Sequence, residues 1–274
     1  LRILRRLTEA KVDSLGVLGS TGSYAYMTRE QRGRIARLAV ENAGNIPVMV
    51  CVGAVSTDEV LRLADDAQAA GAGALLLPPV SYQALHDDEV YGLFETVARH
   101  ASVPLCVYDN PGTTHFTFSD ELHGKIAALP GVHSIKIPGV PADAEAASAR
   151  VRNLRNRLPP DVTIGISGDS SAATGLIAGC EVWYSVCGGL FPAVAKKITE
   201  AAAAGDHTAV RAQNERLSPL WALFGQHGGS FRVISAAAGL LGLTDVNCLP
   251  RPLLPLRADQ LNEVRRVISD LELA

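Results

Sequence analysis

Seven short runs of aliphatic residues recur along the chain at intervals of about 20–33 residues, and this repeat limits the possible folds more than any other feature. The runs are continuous rather than alternating, which is typical of parallel strands buried on both faces. The intervals are long enough for a crossover helix. The predicted strands are SLGVLG at 14–19, PVMVCVG at 47–53, ALLLPP at 74–79, PLCVYDN at 104–110, HSIKIP at 133–138, VTIGISGD at 162–169 and VWYSV at 182–186. The sequence therefore predicts seven βα units.

Regular βα units indicate either an open doubly wound sheet or a TIM (β/α)₈ barrel. Beyond residue 186 the sequence predicts only helices, at 193–205, 207–226, 231–242 and 257–271. We expect residues 1–192 to form the barrel and residues 193–274 to form a helical annex packed on it, as one structural unit. The first predicted element, at 1–11, is a helix, so we also expect the barrel's first strand to precede residue 1, within roughly 20 residues at ordinary βα spacing.

Helix starts are marked by capping residues at several of the predicted boundaries. Thr28-x-x-Gln31 and Ser56-x-x-Glu59 resemble capping boxes, and Ser119 stands where the next such helix should begin. These signals support helical spacers between the strands.

Composition and charge exclude several classes of partner. The net charge is −3 without a long run of one sign, so the basic surface of a nucleic-acid binder or of a protein bound to anionic lipid is missing. No apolar stretch approaches the roughly 20 residues of a membrane helix. The five cysteines show neither CxxC nor Cys/His ligand spacing, which favours reduced core thiols. We expect a cytoplasmic α/β enzyme.

The active site of a parallel α/β fold lies at the C-terminal ends of its strands, and one predicted strand carries an unusual residue there. Lys136 stands between two isoleucines in Ser134-Ile-Lys-Ile-Pro. A buried lysine is rare unless it is paired or functional. Desolvation favours an uncharged amine, which can attack a carbonyl. An edge-strand or snorkelling lysine is the structural alternative.

Two further strand ends carry hydroxyl groups. Gly19-Ser20-Thr21-Gly22-Ser23 can hold a carboxylate or phosphate, or can simply form a turn that caps the next helix. Tyr108 ends an apolar strand, where a tyrosine can be a structural hydrogen-bonding group or a proton shuttle. A lysine nucleophile needs both a shuttle and a carboxylate site, so the three features together predict a Schiff-base aldolase or lyase acting on a 2-keto acid.

The sequence resembles the dihydrodipicolinate synthase/N-acetylneuraminate lyase family from Val12 to Leu256. Gly19-Ser-Thr-Gly22 is similar to its G-[ST]-T-G-E turn, Tyr108–Thr114 to its Y-N-x-P-x-x-T segment, and Ile135-Lys136 to its I-K pair. The 28-residue separation of Tyr108 and Lys136 also agrees with the family. Further matches occur at Ser167-Gly168-Asp169 and Ser185-Val186.

The resemblance implies a role for each matched residue. Lys136 would form the imine with the keto group, Tyr108 would relay protons, and Ser20 and Thr21 would bind the carboxylate, with Ser20 also linking Tyr108 to solvent. Tyr82 falls in register with a second relay tyrosine that the synthases lend across a tight dimer interface. The remaining implied substrate contact is the backbone of Tyr184. No metal or organic cofactor is implied, and a homodimer or homotetramer is expected.

Departures from the family pattern concern the second substrate. Thr113 stands where lysine-pathway synthases keep an arginine that pairs with the carboxylate of aspartate semialdehyde. Ser23, Ile137 and Gly189 replace other residues common in the family. The sequence therefore predicts altered second-substrate specificity. The alternatives are a true 4-hydroxy-tetrahydrodipicolinate synthase, a catalytically inactive barrel that binds a keto acid, and, more weakly, a phosphate-binding barrel enzyme that works without an imine.

Overall fold

The computed structural model describes residues 1–245 and 247–273. All seven predicted strands form, and they lie in chain order in one parallel sheet. The strands are β1 (Leu15–Val17), β2 (Val48–Cys51), β3 (Ala74–Leu77), β4 (Leu105–Tyr108), β5 (Val132–Ile137), β6 (Thr163–Ile166) and β7 (Val182–Trp183). Among the described residues β1 and β7 do not pair with each other, so the sheet is open between them.

Helices fill the intervals between the strands and make up the C-terminal region. They are α1 (Arg2–Glu9), α2 (Arg29–Asn42), α3 (Thr57–Ala69), α4 (Asp87–His100), α5 (Pro111–Thr114), α6 (Asp120–Ala127), α7 (Ala144–Arg155), α8 (Ala172–Ile177), α9 (Cys187–Leu190), α10 (Pro192–Ala203), α11 (His207–Arg216), α12 (Ser218–Gln226), α13 (Ser230–Leu240) and α14 (Ala258–Asp270). Over residues 1–245 and 247–273, none has the length and apolar character needed to cross a membrane.

The predicted capping residues begin the helices, but of the two predicted capping boxes only that of Thr28 is complete. Thr28 forms a full capping box with Gln31 at the start of α2. The hydroxyl of Ser56 accepts a hydrogen bond from the backbone N–H of Glu59, and Ser119 caps α6 in the same way. Each hydroxyl accepts a hydrogen bond from a backbone N–H group of the first turn that has no partner within the helix.

The prediction of one helix over 207–226 is wrong. The structure has two helices, α11 and α12, which meet at Leu217. Pro219 lies in the first turn of α12. Proline has no backbone N–H and its ring clashes with the carbonyl four residues earlier, so it is tolerated at a helix start but interrupts a continuous helix.

Buried apolar residues form two clusters. The larger lies within the βα units and contains the strand residues Leu75, Val107 and Ile135. The smaller gathers the C-terminal helices around Phe191, Leu220 and similar residues. Because the smaller cluster also takes in residues of α8 and α9, the C-terminal helices are packed on the last βα units.

Candidate active site

Lys136 and Tyr108 lie side by side at the C-terminal ends of β5 and β4. They are register partners in the parallel pairing of these strands. The Lys136 Nζ atom lies 4.1 Å from the centroid of the Tyr108 ring and 5.6 Å from that of the Tyr184 ring. Two aromatic rings therefore lie next to the amine.

The alternation of side chains along β5 determines where Lys136 points. Ile135 and Ile137 are fully or almost fully buried on the opposite face of the sheet. Lys136 is half-buried and shares its face with Ser134. Its backbone carbonyl accepts a hydrogen bond of 3.0 Å from the N–H of Asp109, which ties the ends of β4 and β5 together.

The Ser20 turn brings a hydroxyl group onto Tyr108. Ser20 Oγ lies 3.2 Å from the Tyr108 hydroxyl oxygen. The turn is tight: a Cβ atom at Gly22 would lie 2.9 Å from the backbone of Leu18. Ser23 has a φ of 62° and donates its backbone N–H to the carbonyl of Ser20. Close backbone packing therefore holds Ser20 against Tyr108.

Asn110 is a member of this cluster that the sequence did not single out. Its side-chain amide donates to the hydroxyl oxygens of both Tyr108, at 2.9 Å, and Ser20, at 3.2 Å. The available signal was its place two residues after Tyr108. In an extended strand that spacing puts two side chains on one face.

The hydroxyl of Tyr184 contacts polar side chains of β5 and β4, each two residues before Lys136 or Tyr108 on its strand. Its hydroxyl is 2.8 Å from Ser134 Oγ and accepts a weak hydrogen bond of 3.5 Å from Cys106 Sγ. Burial raises the pKa of the Tyr184 phenol far above its ordinary value, so the group is neutral. The family resemblance implied a role for the backbone of Tyr184, whereas its side chain also lies at the site.

Tyr184 fits there because Gly165 has no side chain. Gly165 is the register partner of Lys136 on β6. A Cβ atom at this position would lie 2.2 Å from an edge carbon of the Tyr184 ring. The glycine thus provides the space for the aromatic ring beside the lysine.

Asp169 fixes the segment that carries Tyr184. It is buried, and its carboxylate accepts hydrogen bonds from four donors: the Trp183 indole, the Ser185 hydroxyl and the backbone N–H groups of Val186 and Cys187. Burial raises the pKa of this carboxyl, and the four donors oppose that shift. The Ser-Gly-Asp motif therefore supports the chain after β7.

The other predicted site residues lie further from the amine or at the surface. Thr21 is half-buried in the turn. Thr113 is exposed on α5, which begins directly after Asn110. Tyr82 is 89% exposed in the segment after β3. The structure thus brings together Lys136, Tyr108, Ser20 and Tyr184, and leaves Tyr82 projecting from the chain.

Comparison with known proteins identifies the family of this chain. The model of the dihydrodipicolinate synthetase family matches residues 2–271. The chain belongs to this family. It is 31% identical over 222 residues to the 4-hydroxy-tetrahydrodipicolinate synthase of Methylococcus capsulatus, covering 79% of this chain and 74% of that protein. The synthase of Thiobacillus denitrificans is 29% identical over 278 residues, covering 100% and 91%.

Solved structures of the dihydrodipicolinate synthetase family share the fold. The crystal structure of dihydrodipicolinate synthase from Agrobacterium tumefaciens str. C58 superposes with a TM-score of 0.94 at 44% identity, over 98% of this chain and 90% of that one. The predicted barrel of βα units with C-terminal helices is confirmed. Members of the dihydrodipicolinate synthetase family are lyases that form a Schiff base with pyruvate, so the predicted enzyme class is confirmed as well.

Proposed function

We propose that this protein is a lyase or aldolase in which Lys136 forms the Schiff base with pyruvate or another 2-keto acid. The observation that carries the proposal is the amine of Lys136 placed 4.1 Å from the Tyr108 ring, whose hydroxyl oxygen lies 3.2 Å from Ser20 Oγ. A nucleophile beside a chain of exchangeable protons is what imine chemistry requires.

The reaction begins when the neutral amine of Lys136 attacks the keto carbon of the acid. Proton transfer and loss of water from the resulting carbinolamine give the iminium. Loss of a proton from the neighbouring carbon then leaves its electron pair in a carbon–carbon double bond, and the iminium becomes an enamine. The enamine carbon attacks an aldehyde in the condensation direction. Tyr108 and Ser20 relay the proton that leaves and returns at the enamine carbon, while Ser20 and Thr21 hold the carboxylate through hydroxyl and backbone donors.

The second substrate in this proposal carries no carboxylate near Thr113. The side chain of Thr113 is exposed and uncharged, and its hydroxyl donates to the carbonyl of Asn110 at 3.4 Å. It cannot supply the paired charge that a carboxylate-bearing aldehyde needs. A neutral, hydroxylated aldehyde fits the surroundings of Thr113 better than a carboxylate-bearing one. Synthase activity with aspartate semialdehyde is the second candidate, supported by the names of the curated relatives.

We further propose that the enzyme works as a homodimer or homotetramer in which Tyr82 contributes to a partner's site. The 89% exposure of an aromatic side chain on this chain supports that proposal. Sedimentation of the purified protein tests the assembly. A monomer with full activity would contradict it.

Borohydride reduction in the presence of pyruvate tests the central proposal. Intact mass should show one adduct per chain, and peptide mapping should locate it on Lys136. The Lys136→Ala variant should fold and form no adduct, whereas Lys125→Ala, which removes an exposed lysine of α6, should be labelled like the parent. Absence of an adduct with a panel of 2-keto acids would overturn the imine mechanism and favour a barrel that only binds its ligand.

Turnover assays then separate the two candidate substrates. Pyruvate with aspartate semialdehyde should react slowly, and pyruvate with a neutral hydroxyaldehyde such as glyceraldehyde should react faster. The opposite order would identify the protein as a synthase in the narrow sense.

A further inference from the structure

The side chain of Asn110 bridges the two hydroxyl groups of the proposed relay. Its Nδ2 atom lies 2.9 Å from the Tyr108 hydroxyl oxygen and 3.2 Å from Ser20 Oγ, and these two oxygens lie 3.2 Å from each other. The three atoms therefore form a closed triangle of hydrogen-bonding groups.

The amide group determines how the protons of this triangle can be arranged. Both hydrogens of Nδ2 are donors, and each hydroxyl oxygen can accept one of them. Of the two hydroxyl protons, one can lie between the Tyr108 and Ser20 oxygens. The other is then free to point toward a bound molecule. We infer that Asn110 is a positioning residue that orients the Tyr108–Ser20 pair for proton transfer to and from the enamine carbon.

The backbone of Asn110 connects this triangle to the segment that carries Thr113. Its carbonyl accepts the backbone N–H groups of Thr113 and Thr114, both at 3.0 Å, and the Thr114 hydroxyl at 3.0 Å. The Asn110 side chain makes no capping hydrogen bond to α5. Helix α5 is therefore held by the main chain of Asn110, and the relay by its side chain, so a substitution of the side chain separates the two roles.

The inference rests on the proposed imine mechanism and is tested by one of its partial reactions. Once the iminium has formed, the C3–H bond of pyruvate breaks, the electron pair forms the enamine, and a deuteron from D₂O returns to C3. Proton NMR of pyruvate in D₂O measures this exchange without a second substrate. Borohydride trapping measures imine formation alone.

The test compares Asn110→Asp and Asn110→Ala with the parent protein. An aspartate has the same shape, but its carboxylate only accepts hydrogen bonds, so both hydroxyl protons would turn toward it. We expect adduct formation at Lys136 to stay within about threefold of the parent and C3 exchange to fall on the order of 10²-fold, within the range of proton-transfer effects. We also expect the pH profile of exchange to shift in Asn110→Asp. Asn42→Asp makes the same change on the exposed surface of α2 and should leave both rates unchanged.

The outcomes distinguish the two proposals. If the parent protein forms no adduct, the imine mechanism fails. If the parent forms the adduct and exchanges C3 while both Asn110 variants exchange at the parental rate, the orienting role of Asn110 is overturned. Equal losses of trapping and exchange in variants that circular dichroism shows to be folded would make Asn110 a structural residue only, which also overturns it.

Discussion

Tyr108 on β4 and Lys136 on β5 are register partners, and the Lys136 Nζ atom lies 4.1 Å from the centroid of the Tyr108 ring. The pairing joins the proposed nucleophile to the proposed proton shuttle through one backbone ladder. The tyrosine ring lies against the amine, while its hydroxyl, at the far end of the ring, contacts Ser20 and Asn110.

Replacing Tyr108 by phenylalanine should separate these two contributions. The ring stays, so borohydride trapping on Lys136 should persist. The hydroxyl is lost, so kcat with the preferred aldehyde should fall on the order of 10²- to 10⁴-fold, the usual range for removal of a general acid or base. Tyr91→Phe, on the outer helix α4, is the matched control and should retain parental kcat. A Tyr108→Phe enzyme with parental kcat would remove this hydroxyl from the mechanism.

Adding a methyl group at Gly165 should disturb the site through Tyr184. The new Cβ would lie 2.2 Å from the ring of Tyr184, so the ring must move and its 2.8 Å hydrogen bond to Ser134 must break. We expect a loss of about 1–3 kcal/mol in the free energy of unfolding, typical of overpacking. Denaturant unfolding measures it. Gly16→Ala, where the nearest atom is 3.8 Å away, should cost far less.

A double variant checks the cause of this effect. If the clash with Tyr184 is responsible, Gly165→Ala should cost much less in a Tyr184→Ala background, which appears as a coupling energy between the two positions. If Gly165→Ala lowers the free energy of unfolding equally with and without the Tyr184 side chain, the loss arises from the strand itself.

The sequence predicts the parts of this site that depend on local pattern. Continuous aliphatic runs gave all seven strands, and their ends located Ser20, Tyr108 and Lys136. The side-chain role of Tyr184 depends on Gly165 in a neighbouring strand, which no local pattern shows. Asn110 follows the strand in a turn with φ −143° and ψ 72°, so its direction depends on how that turn folds against the Ser20 loop.

Tertiary hydrogen bonds set the remaining features. Asp169 finds its four donors in the segment 14–18 residues later along the chain. The break between α11 and α12 had a local signal in Pro219, but the helical pattern on either side of it suggested one continuous helix.

Stability should decline with alkaline pH because of buried thiols, and Cys51 is one of them. Burial raises the pKa of this thiol from 9.0 to about 11. Above pH 9 the unfolded chain releases the proton while the folded chain keeps it, so the folded state loses stability as pH rises toward 11. The contribution is about 1.4 kcal/mol per pH unit when fully developed. Urea unfolding from pH 8 to 10.5, with reductant present, measures the slope.

The Cys51→Ala variant isolates that contribution. Its unfolding free energy should be lower at pH 8, because buried volume is lost, but should fall less steeply above pH 9 than that of the parent. Cys248→Ala removes an exposed thiol and should leave the slope unchanged. Parallel curves for the parent and Cys51→Ala would show that Cys51 ionises alike in both states.

Introducing a cation at Thr113 should change which aldehyde the enzyme prefers. Thr113 is exposed on α5, and its side chain bonds only weakly to the Asn110 carbonyl, so an arginine there can be accommodated without loss of a strong contact. A guanidinium group binds a carboxylate with two hydrogen bonds, each stronger than a neutral one. We expect Thr113→Arg to raise kcat/KM for aspartate semialdehyde on the order of tenfold, equivalent to about 1.4 kcal/mol, with little change in pyruvate trapping. Thr117→Arg places the same charge on a nearby exposed position and should not do so. An equal gain in both variants would indicate general electrostatic attraction, and no gain in either would show that the carboxylate of this aldehyde does not approach α5.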